Sequence, residues 1–455
     1  MPSPSSSAVP IGRAFTLLAE REPDRPAVTV GQRVVTRAEL ESLGNRLART
    51  WAAEGVGVDD LVTVSLPNGL DLVLACVAAW KLGATPQPLS PRLPAAERLR
   101  LLTAIDPRLV VDAPVEIGTR DDAPLPDAVA ASWKAPTSSG STGVPKLLRD
   151  PNPSTVDPDA VVAPFVPRDV VQLVAGPLFH AAPFTYAMRG LMKGHELVVL
   201  PRFDAGEALA AIERHRVGWT MLVPATMARI WRHPERARTD VSSLHSVMHM
   251  AARCPEPLKR GWIDWLGPER VVEVYAGTEA QGITMIRGDE WLDRPGSVGR
   301  PVAGSRFRAV RADGSDCAPG EVGELVMQRD GGLPGWHSLS DAGWVDAGGY
   351  VFVADRLDDA ITVGGVIVHP ADVEAVVDTH PDVRSSVAVG RPDAELGEVV
   401  HVVAESQADP DELLAWVRAR LDPEKRPRTL ETTAEPLRDD TGKTRRARHR
   451  PAAGR

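Results

Sequence analysis

The chain has 455 residues, of which 43% are hydrophobic and 25% charged, a composition that is typical of folded soluble proteins and excludes disordered or fibrous architectures. This length exceeds what one compact core usually contains, so we expect at least two folded units. The 52 Lys and Arg residues against 61 Asp and Glu residues leave a net charge of -9, so the whole molecule does not attract nucleic acid or an anionic membrane, and any anionic ligand must be bound locally.

Apolar runs rich in Val and Leu alternate with segments of helical period, which predicts an α/β fold with largely parallel strands. The first unit of this kind is a strand over 61–65, a turn at 67–69 and a buried helix over 70–82 that ends at Gly83. Further along the chain the pattern predicts a helix over 205–216. It also predicts strands over 170–176, 218–223, 245–251 and 271–277.

The pattern changes near residue 355. Beyond this point the sequence predicts short strands and helices of a small α+β domain: strands within 360–368, 383–390 and 398–404, and helices over 371–380 and 411–421. We place the boundary in the charged segment 355–359. The prediction is therefore a domain over 1–357 and a second domain over 358–455.

Cys76, Cys254 and Cys317 are far apart, and none belongs to a Cys-x-x-Cys or Cys/His cluster, which argues against a disulfide framework or a zinc site. The first fifteen residues lack the apolar stretch of a signal peptide. The longest apolar run, residues 72–80, is about half as long as a membrane span. We therefore expect a cytoplasmic protein without membrane insertion.

A segment rich in glycine and hydroxyl side chains, TSSGSTGVPK over 137–146, is the strongest local signal of a binding site. Small residues let backbone N–H groups approach an anion, the hydroxyls add donors and Lys146 adds positive charge, which suits a polyphosphate. The alternative is a polar surface loop. The segment does not match the Walker A pattern, because Pro145 precedes Lys146.

A second group of polar residues, YAGTE over 275–279, follows a predicted apolar strand. An aromatic ring, a flexible glycine, a hydroxyl and a carboxylate at the carboxyl end of a strand would supply a stacking plane, a phosphate donor and a magnesium ligand. The alternative is an ordinary turn from strand to loop. Late in the chain, Asp341 precedes further charged or glycine-rich motifs: 355–359, 364–365, 369–374 and 441–446.

In this order the motifs resemble those of the adenylate-forming superfamily of acyl-CoA synthetases, peptide-synthetase adenylation domains and luciferases. The resemblance spans nearly the whole chain and includes VTRAEL (35–40), KLGATPQPL (81–89), PLFHAAP (177–183), PGSVGRP (295–301) and GEL (323–325). Within the superfamily, residues 249–269 look most like the bile-acid, steroid or aryl acyl-CoA ligases of actinobacteria.

The resemblance implies an α/β protein with a large N-terminal domain of parallel sheets and helices, a small mobile α+β C-terminal domain, and an active site between them. It also implies two half-reactions. An acid attacks the α-phosphate of MgATP to give an acyl adenylate and pyrophosphate, and a thiol or another nucleophile then displaces AMP. ATP, Mg²⁺ and CoA are thus the expected small-molecule partners.

The resemblance further implies roles for single residues. Lys443 would be the mobile lysine that bridges the substrate carboxylate and the α-phosphate, Asp358 the hinge, Glu279 the magnesium ligand and Thr278 a contact of the α-phosphate. Other nucleotide-binding residues would be Ser138, Ser139, Gly140, Ser141, Thr142, Gly143 and Lys146 at the β- and γ-phosphates, Tyr275 at adenine, and Asp341 with Arg356 at the ribose. The acid pocket would be lined by His180, Met250, Ala251, Ala276 and Gly277.

The roles of some residues are not fixed by the resemblance. His180 would either gate the acid or be a packed structural residue. The terminal arginines would either meet the phosphates of CoA or form a solvated tail: Arg445, Arg446, Arg448 and Arg450. Glycines 364 and 365 would leave a passage open for pantetheine, because they carry no side chain.

Several positions depart from the family pattern. Ala276 replaces the first glycine of Tyr-Gly-x-Thr-Glu, Leu339 and Ser340 replace Thr-Gly before Asp341, and the stretch between Glu324 and Asp341 is shorter than in typical members. The additional methyl group of Ala276 would narrow the pocket floor, which favours a flat acid over a long acyl chain. We therefore expect an aromatic or polycyclic carboxylate as substrate.

Two alternative functions remain open. In one, the same adenylation chemistry activates nitrite, and the product diazotises an aryl amine such as an aminobenzoate in secondary metabolism. The shortened segment and the altered motifs favour this reading. In the other, the chain binds a nucleotide without turnover, which is difficult to reconcile with the presence of Lys443, because a binding protein has no use for a mobile lysine.

Overall fold

The computed structural model describes residues 7–137, 147–277, 281–356, 359, 361–364, 366–393, 395–438, 446 and 449. The chain forms two compact units. The first comprises Met1–Leu222, Thr226–His249 and Glu269–Val271, and the second comprises Val223–Ala225, Met250–Pro268 and Val272–Arg455. The domain boundary predicted between residues 357 and 358 stays a prediction, because both residues lie outside the described part of the chain.

Strands and helices alternate over most of the first unit. Its helices are α1 (Ile11–Arg21), α2 (Arg37–Ala53), α3 (Leu70–Lys81), α4 (Ala95–Ile105), α5 (Ala181–Met192), α6 (Ala205–Arg214) and α7 (Pro224–Arg232). The first two residues of α7 are assigned to the second unit. Its strands are β1 (Val9–Pro10), β2 (Pro26–Val30), β3 (Arg33–Thr36), β4 (Leu61–Val64), β5 (Thr85–Pro88), β6 (Leu109–Val111), β7 (Thr155–Val156), β8 (Val171–Val174), β9 (Glu196–Val199), β10 (Trp219–Leu222) and β11 (Ser246–His249).

Most strand pairs of the first unit are parallel. Six strands lie in the order β11-β10-β8-β9-β2-β3, and every neighbouring pair except the β2–β3 hairpin is parallel. Strands β5-β4-β6 form a separate parallel sheet. The predicted strands at 61–65, 170–176, 218–223 and 245–251 are confirmed, as are the helices at 70–82 and 205–216. Gly83 follows α3 in the left-handed region, at φ +67°, as its predicted role requires.

The second unit contains a long antiparallel sheet. Its strands are β12 (Val271–Ala276), β13 (Ile283–Arg287), β14 (Ser297–Pro301), β15 (Ser305–Val310), β16 (Gly323–Arg329), β17 (His337–Val345) and β18 (Val351–Arg356), in the order β15-β16-β17-β18-β14-β13-β12. Helices α8 (Glu256–Leu266) and α9 (Gly288–Asp293) belong to the same unit. The predicted strand at 271–277 is confirmed as β12. Here the largely parallel arrangement predicted from the sequence is wrong, because connections as short as 330–336 allow hairpins, whereas a parallel crossover needs about a dozen residues.

Residues from 361 onward form a separate small sheet. Its elements are β19 (Ile361–Val363), β20 (Val366–Val368), α10 (Pro370–Val377), β21 (Val383–Asp393), β22 (Gly397–Ser406), α11 (Pro410–Arg418) and β23 (Thr429–Thr433). The order is β20-β19-β22-β21, with β23 parallel to β22. The apolar segment 360–368 is a hairpin of two strands. Both predicted helices of this region and its later strands are confirmed. No helix in the described part of the chain is long and apolar enough to cross a membrane.

Helix α3 lies at the centre of the core of the first unit. Its residues from Leu72 to Lys81 are all buried, as expected for a helix that is apolar on every side. Trp80 donates a hydrogen bond from Nε1 to the carbonyl of Trp133, 2.7 Å away, and its ring lies beside those of Phe15 and Phe184. The predicted burial of this helix is therefore confirmed.

A buried ion pair ties the first three helices together. Nζ of Lys81, at the end of α3, donates to Oε2 of Glu41 in α2 at 2.7 Å, and the residue is 4% exposed. The other oxygen of Glu41 accepts hydrogen bonds from Thr16 in α1 at 2.8 Å and from Asn45 at 3.0 Å. The family motif that begins at Lys81 thus contributes to the packing of α1 and α2.

Replacing Lys81 with Met is expected to lower the free energy of unfolding by about 3 kcal/mol, because Glu41 would keep a buried charge without its cation. The double variant Lys81→Met/Glu41→Gln should recover most of this loss, because no charge remains and glutamine retains the acceptor for Thr16 and Asn45. Urea unfolding of the wild type and both variants measures the two effects. A double variant as unstable as the single one would contradict this account.

Candidate active site

Residues 138–146 of the segment rich in glycine and hydroxyl side chains are called the Thr/Ser/Gly loop below. The chain segments on either side of this loop are hydrogen-bonded to each other in the first unit. Thr137 and Leu147 form an antiparallel bridge, and Leu148 donates its N–H to the carbonyl of Pro136 at 2.8 Å. The loop therefore starts and ends at the same place, which is compatible with its predicted role in binding an anion. The predicted phosphate-binding residues themselves lie outside the described residues: Ser138, Ser139, Gly140, Ser141, Thr142, Gly143 and Lys146.

Lys134 is a buried cation that the sequence did not single out. Its Nζ donates to Oγ1 of Thr185 in α5 at 2.6 Å and lies 3.8 Å from the carboxylate of Asp150. Asp150, on the other flank of the loop, also donates its backbone N–H to the carbonyl of Lys134 at 3.0 Å. Burial, with a smaller contribution from the charge of Arg189, lowers the pKa of Lys134 to about 8 against the opposing effect of Asp150. Lys134 thus links both flanks of the loop to α5.

His180 caps the N-terminus of α5 with an extended backbone, and its ring centroid lies 4.5 Å from that of Phe179. The preceding chain is held by Asn68, whose Nδ2 donates to the carbonyl of Gly176 at 2.9 Å. Oδ1 of Asn68 accepts the N–H of Leu178 at 2.8 Å. The turn at 67–69 therefore positions the segment that carries His180. The acid-gating role of His180 stays a prediction.

Three of the predicted nucleotide-binding residues come together in the second unit. Tyr275 lies near the end of β12, and its Oη donates to Oδ2 of Asp341 in β17 at 2.5 Å. Asp341 is only 6% exposed, and it lies directly opposite Arg356 in the register of β17 and β18. An aromatic ring beside a buried carboxylate is a set of groups that fits adenine and the ribose hydroxyls.

Leu339 closes the space beside Gly277. A β-carbon added to Gly277 would lie 2.5 Å from Cδ2 of Leu339, so this leucine packs against the glycine where a larger residue would clash. The sequence attributed the narrowing of the acid pocket to Ala276 alone, because it contains no local sign that β17 approaches the end of β12. Met250, the next predicted pocket residue, is buried, whereas Ala251 is exposed and has φ +77°.

The strand that carries Asp341 has an irregular backbone. Ser340, which stands where the family has glycine, lies in the left-handed region at φ +60°, and its N–H donates to Oγ of Ser338 at 2.8 Å. The register between β17 and β18 shifts between Ala342 and Gly343. A β-carbon on Gly343 would lie 2.1 Å from the carbonyl oxygen of Phe352, so this position requires glycine.

The remaining predicted site residues are Thr278, Glu279, Asp358 and Lys443, which lie outside the described residues, as does the side chain of Arg356. Across the described ranges there is no cluster of three or more His, Cys, Asp or Glu residues that could hold a metal ion. The roles implied for Glu279 in magnesium binding and for Lys443 in catalysis therefore stay predictions.

The chain belongs to the AMP-binding enzyme family: residues 15–136 and 135–337 match the family model of AMP-binding enzymes, and residues 372–443 match that of the AMP-binding enzyme C-terminal domain. The resemblance drawn from the motifs is thus confirmed, and so is the α/β class with a large N-terminal and a small C-terminal part. The chain is an AMP-forming ligase.

Similar proteins span nearly the whole chain. It is 31% identical to the feruloyl-CoA synthase of Amycolatopsis sp, over 91% of this chain and 93% of that protein. It is 28% identical to the long-chain-fatty-acid–CoA ligase FadD13 of Mycobacterium tuberculosis, over 90% and 91%. The structure of o-succinylbenzoate CoA synthetase (MenE) from Bacillus subtilis with its acyl-adenylate intermediate has the same fold, with a TM-score of 0.82 and 24% identity over 98% and 99%.

Replacing Ser340 with Gly is expected to raise the free energy of unfolding by about 0.5 to 1 kcal/mol. The left-handed backbone strains a residue with a β-carbon, and the greater freedom of glycine in the unfolded chain offsets part of the gain. Ser340→Ala is the matched control, because it removes the hydroxyl and keeps the β-carbon. Urea unfolding compares the three proteins, and an equal gain in both variants would rule out backbone strain as the cause.

The pKa of Lys134 predicts how stability depends on pH. Because the folded-state pKa of about 8 lies below the ordinary value of 10.5, the unfolded chain binds a proton that the folded chain lacks between these pH values, so stability rises with pH across the window. Relative to Lys134→Met, the wild type should gain about 3 kcal/mol from pH 8 to 10.5. Urea unfolding at several pH values measures the difference, and a constant or falling difference would contradict the lowered pKa.

Proposed function

We propose that the protein uses ATP to activate an aromatic or polycyclic carboxylate and transfers the acyl group to CoA. The observation that carries the nucleotide part is the hydrogen bond between Tyr275 and Asp341, with Arg356 opposite on the neighbouring strand. The choice of acid is supported by the likeness to feruloyl-CoA synthase and by Leu339, which packs against Gly277. The methyl group of Ala276 would narrow the pocket further.

In the first half-reaction the substrate carboxylate attacks the α-phosphorus of ATP, and pyrophosphate leaves. Charge grows on the phosphate oxygens, so fixed cations and N–H donors supply most of the catalysis. The backbone of residues 138–143 and the ammonium of Lys146 would stabilise the leaving pyrophosphate. Thr278 and Lys443 would contact the α-phosphate, and Lys443 would also hold the attacking carboxylate. Mg²⁺, held by Glu279, would neutralise phosphate charge.

In the second half-reaction the CoA thiolate attacks the carbonyl carbon of the adenylate, and AMP leaves with the bonding electron pair. The pantetheine arm needs a narrow passage, which residues without side chains would leave open. Gly364 supports this role, because its φ of +57° is the left-handed conformation that glycine adopts most easily. Release of AMP then completes the cycle.

The test is a product assay on the purified full chain with Mg²⁺ and ATP. One mixture contains CoA with ferulate, benzoate or a polycyclic acid, a second contains CoA with palmitate, and a third contains nitrite with an aminobenzoate. The expected result is AMP, pyrophosphate and an aryl thioester in the first mixture, measured by chromatography and mass spectrometry. Faster thioester formation with palmitate would overturn the aromatic substrate class.

The third mixture tests the diazotisation alternative, which gains no support from the similar proteins described above. A diazo product formed in the third mixture, without thioester in the first two, would replace CoA ligation as the function. Formation of ADP and orthophosphate in place of AMP and pyrophosphate would overturn adenylation itself. Binding of ATP without any product in the three mixtures would favour a nucleotide-binding protein.

The variant Lys443→Ala should slow adenylate formation by at least about 10²-fold, because one positioned donor to the developing charge is lost. Thioester formation from preformed acyl adenylate should change much less, since that step no longer involves the α-phosphate attack. Lys425→Ala, which removes another lysine of the same region, is the control and should react normally. Normal adenylate formation by Lys443→Ala would remove Lys443 from the catalytic residues.

A further inference from the structure

Arg446 is buried against two carboxylates. Its side chain is 15% exposed, and Nη2 donates to both oxygens of Glu374 at 2.7 and 2.8 Å. Nη1 donates to Oδ2 of Asp359 at 3.1 Å. The sequence offered two readings for the terminal arginines, a solvated tail or contacts with CoA phosphates. Neither accounts for a guanidinium whose fork is engaged by acidic side chains of the protein.

One of the two carboxylates lies in the small C-terminal sheet region, and the other lies beside the predicted hinge. Glu374 lies in α10, is 8% exposed, and its Oε1 also accepts the N–H of Ala388 in β21 at 2.9 Å. It is flanked by the core residue Val373. Asp359 directly follows Asp358, the predicted hinge. Arg446 therefore connects the C-terminal segment to the core of the small sheet and to the residue beside the hinge.

Lys443 precedes Arg446 by only three residues, and a span of that length extends to about 10 Å at most. We propose that Arg446 is a positioning residue for Lys443: its contacts with Glu374 and Asp359, here called the clamp, fix a point of the chain three residues from Lys443 during adenylate formation. The inference rests on the proposed function, because it needs Lys443 to act on the carboxylate and the α-phosphate.

The chemistry of the clamp fits this role. Nη1 and Nη2 of the planar guanidinium bind two different carboxylates, which fixes its orientation as well as its distance, whereas the single ammonium of a lysine does not do this. A misplacement of about 1 Å at a reacting group is enough to cost about 10²-fold in rate. Because Asp359 adjoins the predicted hinge, the same guanidinium would keep the C-terminal segment attached to the small domain when the hinge rotates.

The experiment compares Arg446→Ala and Arg446→Lys with the wild type in both half-reactions, using the acid that the product assay identifies. Adenylate formation by Arg446→Ala should fall by about 10²-fold, whereas thioester formation from preformed adenylate should stay within about twofold. Arg446→Lys should recover part of the rate. In the Lys443→Ala background, Arg446→Ala should cause no further loss, because Arg446 acts through Lys443.

Two further variants separate positioning from folding. Arg384→Ala removes an arginine whose side chain is 76% exposed and should leave both half-reactions unchanged. Asp359→Asn keeps the contacts to Glu374, so it tests the clamp even where Arg446→Ala unfolds the small domain, and it should slow adenylate formation alone. Melting temperatures accompany each measurement.

The proposal is overturned if Asp359→Asn and Arg446→Lys each slow adenylate formation and thioester formation by the same factor. It is also overturned by a full additional loss when Arg446→Ala is combined with Lys443→Ala, or by an unchanged rate in Arg446→Ala. A wild type that forms no adenylate with any acid refutes the proposed function instead. A wild type that forms adenylate while the Arg446 variants match it refutes only the inference.

Discussion

Formation of an acyl adenylate requires two anions to meet, and the chain itself carries a net charge of -9. Two unit charges about 4 Å apart repel by about 1 kcal/mol in water and by several times more within a protein, so local cations and N–H donors must provide the compensation. Charges on the distant surface contribute little, because salt screens them beyond about 8 Å. The positive groups expected at the phosphates, Lys146 and Lys443, are therefore the residues on which the proposed chemistry depends.

Side chains outside the expected site hold the segments that carry it. Asn68 fixes the chain before His180, and Lys134 joins the flanks of the Thr/Ser/Gly loop to α5. Tyr275 orients the carboxylate of Asp341. Each of these contacts joins two segments of the same unit that are more than 50 residues apart in the sequence. Such support is needed because reaction rates are sensitive to small displacements of the reacting groups.

The sequence predicted the elements whose signal is local. The helix over 70–82 and its end at Gly83 followed from hydrophobic periodicity and a single glycine, and the structure confirms both. The motif at 275–279 correctly indicated a strand end that lies next to Asp341. Local patterns do not determine which strands become neighbours, so the antiparallel sheet over 272–356 was not predicted.

The contacts that escaped prediction join residues far apart in the sequence. Leu339 packs against Gly277, Arg446 reaches Glu374, and Lys134 reaches Thr185. Nothing in the local sequence around a lone lysine or leucine reports the partner that folding brings to it. An arginine near a chain terminus is ordinarily solvated, so the sequence favoured a solvent-exposed side chain for Arg446, whereas the side chain is buried against Glu374. These residues became recognisable only when distances were known.

The backbone around Asp341 is irregular where the sequence departs from the family motif. Ser340 accepts a left-handed conformation that costs a residue with a β-carbon about 1 kcal/mol, and Gly343 permits the close approach of the neighbouring strand. Between them the register shifts, which redirects side chains in the manner of a β-bulge. Along this backbone path Asp341 accepts the hydrogen bond of Tyr275, with Leu339 and Ser340 in place of the family's Thr-Gly. The strain at Ser340 is therefore an energetic cost of the backbone path that carries Asp341 to its contact with Tyr275.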